Sequence, residues 1–293
     1  MKKIIYGLSC LIAAGALTAC GGKSTDNKKT DSDSTKTENA VPEYKELDKP
    51  QVDISKYKAD KDGYITLFDG KSTEGWRGYG KDELPGKWSI DNGALKFTGS
   101  GKGEAQEKDG GDIIFAHKFK NFILELEWKV AKGSNSGIFY LAQEIESTDK
   151  DGKTKLEPIY ISAPEYQVLD NANHVDAMAG KDGNRQSASL YDMIPAKPQN
   201  SKPFGEWNKA EIIVSKGTVF HKQNGETVVE YHLWTPEWTK MLQDSKFKEG
   251  SKDFPLAFDL LNNCGGPNRE GYIGLQDHSD DVWFRNIKIK VLD

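Results

Sequence analysis

Cysteine is scarce, with Cys10, Cys20 and Cys264 the only three in 293 residues. That number excludes a disulfide scaffold. With no Cys-x-x-Cys pair there is also no thiolate site for zinc or an iron–sulfur cluster. No Gly-x-Gly-x-x-Gly run opens a strand–helix unit, so the nicotinamide and flavin fingerprint is missing. An excess of positive charge is lacking too. Forty Lys and Arg stand against 45 Asp and Glu, for a net charge of -5, which argues against non-specific nucleic-acid binding. No long segment keeps a helical period. What is present is apolar material for a core, at 36% of residues, with 29 Gly and 10% aromatics. That balance leans towards an all-β body with many turns.

The first residues read as a targeting segment. Lys2 and Lys3 precede a mostly apolar stretch at 4–19, too short to span a bilayer, so 1–19 reads as a signal peptide. Leu17-Thr18-Ala19-Cys20 resembles the lipobox of bacterial lipoproteins. The resemblance implies cleavage before Cys20, lipidation of its thiol and membrane attachment through the lipid. Gly rather than Asp after Cys20 resembles outer-membrane sorting in Gram-negative bacteria, with the protein facing the periplasm or the surface. Residues 21 to about 40 are Lys, Asp, Ser, Thr and Asn without an apolar run, a composition that cannot offset its chain entropy. The expected division is a signal peptide at 1–19, a lipidated tether at 20–60 and a single β-domain at 61–293. Residues 41–61 form a transition that is expected to lie along that domain.

Within the body, apolar alternation recurs between turn signals. Phe122, Leu124, Leu126, Trp128 and Val130 fall on one face of a strand, and Ile123, Glu125, Glu127 and Lys129 on the other. Asp91-Asn92-Gly93 and Asn224-Gly225 are tight hairpin turns. Residues 235–243 are the best short helical candidate. Many strands and few helices predict one β-sandwich rather than βαβ units.

Five segments then resemble, in order, the 3-keto-disaccharide hydrolase family. They are Gly63-Tyr64-Ile65-Thr66-Leu67-Phe68-Asp69-Gly70 with Gly75-Trp76, Asn135-Ser136-Gly137-Ile138, Glu165-Tyr166-Gln167-Val168-Leu169-Asp170, Gly205-Glu206-Trp207-Asn208, and the segment from Gly271 through His278 into Phe284-Arg285-Asn286-Ile287. The match runs from Gly63 to the C-terminus. It implies a concanavalin A-like jelly roll, in agreement with the strand pattern. Many relatives place an Arg soon after the Asn-Ser-Gly-Ile segment, where this chain has Phe139-Tyr140-Leu141.

Candidate site residues follow from strand period and from this resemblance. Residues i and i+2 share a face, so Glu165 and Gln167 point together, as do Gln276 and, if the strand continues, His278. The resemblance places all four in a sugar pocket. Asn135, from the matching Asn-Ser-Gly-Ile segment, is a further candidate contact. Glu125 and Glu127 also share a face, resembling the carboxylate rows of glucanases. The third position of such a row is Lys129, so Glu127 is taken as a candidate substrate contact and not as half of an acid–nucleophile pair. In residues 170–176, Asp170, His174 and Asp176 are candidate ligands for a divalent cation, the alternative being a turn with Asx caps. No other cofactor is evident. Tyr191, in Ser189-Leu190-Tyr191-Asp192, is a candidate donor to a sugar oxygen. Trp207 and Trp283 are candidate stacking platforms. Asn263 sits in an amide-rich loop beside Cys264, which reads as a lone buried thiol.

The resemblance implies a substrate already oxidised at C3 by a separate sugar dehydrogenase. A C3 ketone acidifies the C2 hydrogen, so a base can take it and the C1 oxygen then leaves. Such a reaction needs a base near C2, a stabiliser of the C3 oxygen and an acid at the leaving oxygen. His278 or Glu165 is the candidate base. Gln167, Gln276 or a metal stabilises the enolate. Tyr191, or whichever of His278 and Glu165 is not the base, is the acid. A conventional glycoside hydrolase and a non-catalytic carbohydrate-binding lipoprotein are the competing readings.

Overall fold

The computed structural model describes residues 42–100 and 109–293. The expected signal segment, Cys20 and the tether as far as residue 41 lie outside the described residues. Sixteen strands and two α-helices are present among the described residues. The first ten strands are β1 (Glu43–Glu46), β2 (Ile65–Phe68), β3 (Trp76–Gly78), β4 (Trp88–Asp91), β5 (Ala94–Phe97), β6 (Ile113–Phe119), β7 (Phe122–Val130), β8 (Asn135–Ala142), β9 (Ile145–Thr148) and β10 (Thr154–Leu156). Then come β11 (Glu165–Leu169), β12 (Asn208–Ser215), β13 (Thr218–Gln223), β14 (Glu226–His232), α1 (Pro236–Gln243), α2 (Ala257–Asn262), β15 (Gly271–Leu275) and β16 (Val282–Val291).

Two antiparallel sheets make a jelly-roll sandwich. One runs β14-β13-β12-β7-β16-β5-β4, with β2 also paired to β16, and the other runs β11-β8-β15-β6-β3. A small third sheet, β1-β9-β10, lies at one edge. The expected alternation on β7 holds along its whole length, with buried and half-exposed residues in turn. Its apolar face meets Ile138, Tyr140, Tyr166 and Val168 from the other sheet in one core. Each large apolar side chain removed from water there contributes about 1.5–3 kcal/mol. The Asn–Gly turns adopt the left-handed backbone that the hairpins require. Asn92 and Gly93 have φ of 49° and 79°, and Asn224 and Gly225 of 49° and 92°. The helical candidate forms α1, capped by Thr235, whose hydroxyl accepts from the Trp238 amide at 3.2 Å.

The transition segment lies along the domain: β1 pairs with β9 through Glu43↔Thr148 to Glu46↔Ile145, and the Val52 amide donates to the Ala116 carbonyl at 2.6 Å. β9 pairs with β1 on one side and β10 on the other, which ties this segment into the small sheet.

Two buried polar arrangements fix the layers. Glu144 is fully buried and takes both arms of Arg77, at 2.6 and 2.8 Å. The same carboxylate accepts the Gly80 amide at 2.5 Å. In the core, His221 donates from Nδ1 to the Ala188 carbonyl at 2.9 Å. Its Nε2 therefore accepts from the Tyr140 hydroxyl at 2.7 Å, and Tyr140 in turn accepts from Tyr231 at 2.5 Å. Every donor in that chain has one direction open to it. Burial drives the His221 pKa down to about 4, against the smaller pull of the Ala188 carbonyl.

Removing one partner of the Arg77–Glu144 pair leaves a buried charge uncompensated. Arg77→Met is expected to cost about 3–5 kcal/mol in urea unfolding, and Arg77→Met with Glu144→Leu less than the single change. A histidine whose folded pKa lies below its unfolded value loses stability as pH falls, because the unfolded chain binds the proton first. Stability is expected to drop by up to about 3 kcal/mol from this group between pH 6.5 and 4. Comparing urea midpoints of the wild type and His221→Gln across that range checks the sign.

Candidate active site

The pairing of β11 with β8 sets Gln167 opposite Gly137 and Glu165 opposite Phe139. Tyr166 and Val168 thereby enter the core, and Glu165 and Gln167 face a cavity of about 420 Å³ on the far side of the five-stranded sheet. Asn135, Gln276, Asp277, His278 and Tyr191 line the same cavity. β15 ends at Leu275, so the chain after it is no longer a regular strand, and Gln276, Asp277 and His278 all reach the pocket. Tyr79, Leu156, Pro158, Tyr160 and Phe254 also line it, with Lys246 among them. Half the lining is thus polar and half apolar, as a sugar ring with polar edges and a C–H face requires.

Gly137 lets the two strands present Glu165. A Cβ there would sit 2.3 Å from Glu165 Oε1 and 2.9 Å from its Cδ. Any side chain at Gly137 would displace the carboxyl group.

Three buried amide atoms at the cavity have no hydrogen-bond partner among the described residues: Asn135 Oδ1, Gln167 Nε2 and Gln276 Oε1. Gln167 is 1% exposed, and its other amide atom accepts the Val168 amide at 3.0 Å. Asn135 Nδ2 lies 3.3 Å from His278 Nε2. In that amide orientation the imidazole presents its lone pair at Nε2. Buried polar atoms without partners are costly, so these three are placed to meet a hydroxyl or carbonyl of a ligand.

Tyr191 donates to Asp176 Oδ2 at 3.4 Å and lies 3.5 Å from Lys246 Nζ. Burial, followed by the charges of Glu165 and Asp176, pushes its pKa far above the ordinary tyrosine value. At neutral pH it is a proton donor. The backbone on both sides of it is strained, with φ of 64° at Ala188 and 61° at Asp192. Asp192 is tied to Arg185 at 2.7 Å and to the Lys246 amide at 2.9 Å. Asp277 accepts the Gly111 and Ser279 amides and braces the loop, with its pKa raised by burial.

The expected cation set is not assembled. Asp170 accepts from the Gly133 and Ala172 amides and from Asn173, at 2.7–3.2 Å, which is the turn-capping alternative. Asp176 faces Tyr191 and Arg185. The group that does converge is His174, His278 and Asp280, with potential ligand atoms all within 4.8 Å of one another. Its mixed nitrogen and oxygen set suits a divalent metal. However, His174 Nδ1 accepts the Asp176 amide at 3.1 Å. A neutral imidazole has one lone pair, so that bond must open before His174 can ligate an ion. Burial lowers the His174 pKa and His278 adds to that, while Asp176, Asp280 and Asp170 oppose it.

Other expected contacts lie elsewhere. Glu127 is on the outer face of the larger sheet, held by Arg285 at 2.7 Å. Glu125 there pairs with Lys209 at 2.9 Å. Trp207 lies under the Arg285 guanidinium at 3.9 Å, and Trp283 bonds Asp91 at 2.8 Å. Strand period put these residues on one face but could not say which face met the cavity. Asn263 lines a separate cavity with Arg269 and Tyr44. Cys264 is fully buried, and burial pushes its thiol up to about 12, which removes it as a nucleophile.

Lys246, Tyr160, Phe254 and Asp280 were not legible as site residues. The first three lie in segments outside the sheets, without period. Asp280 had a signal in its i+2 spacing from His278.

Residues 63–290 match the family described as the 3-keto-alpha-glucoside-1,2-lyase-like domain. The chain belongs to this family. It is also 65% identical, over 100% of both chains, to a Bacteroides thetaiotaomicron protein named 3-keto-disaccharide hydrolase. Among solved structures, it is similar to a Parabacteroides distasonis protein provisionally described as a glycosyl hydrolase. Identity is 25%, the TM-score 0.60, and 79% of this chain and 95% of that one are covered. A second such structure from the same organism gives 26%, a TM-score of 0.55, and coverage of 78% and 99%. The Asn-Ser-Gly-Ile and Glu-Tyr-Gln-Val-Leu-Asp segments that carried the family resemblance are the paired strands that build the pocket floor.

Gly137→Ala is expected to weaken binding of a sugar ligand tenfold or more in calorimetric titration, with the thermal midpoint nearly unchanged. Undiminished affinity would separate Glu165 from substrate recognition.

Proposed function

We propose that this protein is a carbohydrate-active enzyme that cleaves the glycosidic bond of 3-keto-glycosides, including 3-keto-disaccharides. The observation that carries the reading is the convergence of three partnerless buried amide atoms with His278, Glu165 and Tyr191 in one cavity. Family membership and the name of the Bacteroides relative support the sugar substrate.

The proposed step begins with Glu165, or His278 Nε2 once its bond to the Asn135 amide opens, taking the C2 proton. The electron pair moves to the C3 oxygen as an enolate, where Gln167 Nε2 is the donor without another partner. The pair then returns to form the C1=C2 double bond as the C1–oxygen bond breaks. Tyr191 gives the leaving oxygen its proton. Addition of water across C1=C2, hydroxyl to C1 and proton to C2, completes a net hydrolysis. A cation held by His174, His278 and Asp280 would supply further charge stabilisation and, by taking the His278 lone pair, would leave the base role to Glu165. The outer Glu125/Glu127 row, engaged by Lys209 and Arg285, does not favour a two-carboxylate mechanism. A separate dehydrogenase would supply the C3 ketone, and a lipid on Cys20 would anchor the protein at the outer membrane.

The test compares a 3-keto-glucoside with its unoxidised parent by mass spectrometry. The wild type should convert the first alone and place solvent deuterium at C2. His278→Ala and Glu165→Gln should each lower turnover by about 10²–10⁴-fold where the residue is the base or acid. Full turnover in both variants would discard these assignments.

A further inference from the structure

We infer that Lys246 is a further catalytic residue, its ammonium group stabilising the negative charge that develops on the C3 oxygen. This rests on the elimination reading above and names a group that the reading lacks.

The charge balance of the cavity calls for such a group. Asp112, Glu157, Glu165 and Asp277 all contribute to its lining, and an enolate forming among carboxylates is repelled unless a positive centre lies beside it. Lys246 is the one lysine or arginine among the residues lining the cavity.

Its position is built. The ammonium nitrogen stands 4.5 Å from the Tyr191 ring centre, 5.0 Å from Phe247, 5.4 Å from Phe254 and 5.6 Å from Tyr160. Four aromatic faces therefore hold the charge in place where water is partly excluded, the setting in which a fixed charge acts most strongly. The backbone is pinned as well. The Lys246 amide donates to Asp192 Oδ2 at 2.9 Å, and Arg185 holds the other carboxylate oxygen at 2.7 Å.

Its neighbour fits the chemistry. Lys246 Nζ lies 3.5 Å from the Tyr191 hydroxyl. The oxygens on C1 and C3 flank the C2–H of one sugar ring, and ammonium and phenol stand side by side on one wall. Tyr191 serves the leaving oxygen and Lys246 the ketone oxygen. No bond to lysine forms. The ammonium keeps its proton and stabilises the charge through the step.

The experiment follows C2 hydrogen–deuterium exchange and product release from a 3-keto-glucoside in the wild type, Lys246→Met and Lys246→Arg. Lys246→Met keeps an unbranched apolar stem of similar reach and removes the charge. It should lower kcat by about 10²–10³-fold with KM changed little, and slow C2 exchange by the same factor. Lys246→Arg should recover at least tenfold of that loss. Circular dichroism checks the fold, and Lys246→Gln replaces the Met variant if that one does not fold. Exchange at the wild-type rate without the lysine charge, or a rise in KM alone, overturns the assignment and leaves the elimination reading standing. Absence of exchange in the wild type overturns both.

Discussion

The antiparallel register that sets Gly137 against Gln167 decides which side chains reach the pocket and which reach the core. Strand residues alternate with a period of two, so a slip of one position would exchange the two sets completely. Tyr166 and Val168 would leave the core, and Glu165 and Gln167 would enter it. The apolar cost of that exchange is what makes the site geometry unique. Gly137 is part of the same constraint, because its missing side chain is the room that Glu165 occupies.

The buried chain from Tyr231 through Tyr140 and His221 to Ala188 ties this register to the pocket wall. The Ala188 amide donates to the Gln167 carbonyl at 2.8 Å, so the segment before Tyr191 is held from both the sheet and the core. Burial keeps His221 neutral at physiological pH, which preserves the direction of every bond in the chain. A strained segment persists here because partners on two sides fix it.

Much of the fold was legible in the sequence because it is written in local period and turn chemistry. The β7 alternation and the Asn–Gly turns have their causes within a few residues. The pocket floor was legible for the same reason, through Glu165, Gln167, Gln276 and His278. What failed was the choice between faces. Glu127 and Trp207 stand on strands or next to them like the residues that line the cavity, but on the sheet face where Arg285 covers them. Asp170 failed differently. A carboxylate in an Asx-rich turn is equally suited to an ion and to backbone amides, and here the amides take it. Lys246 had no local signal, since two of the rings around it, Tyr160 and Tyr191, come from far away in the chain.

The half of the cavity that faces away from the strands is assembled from Tyr160, Tyr191, Lys246 and Phe254, all carried on connecting segments between strands. Floor and roof therefore answer to separate physical demands. The floor is bound to the sandwich register and tolerates little change. The roof answers to no strand register, so the stretches between its anchors on the core, Tyr160 and Phe254 among them, are where the mouth of the pocket can change shape at least cost to the sandwich.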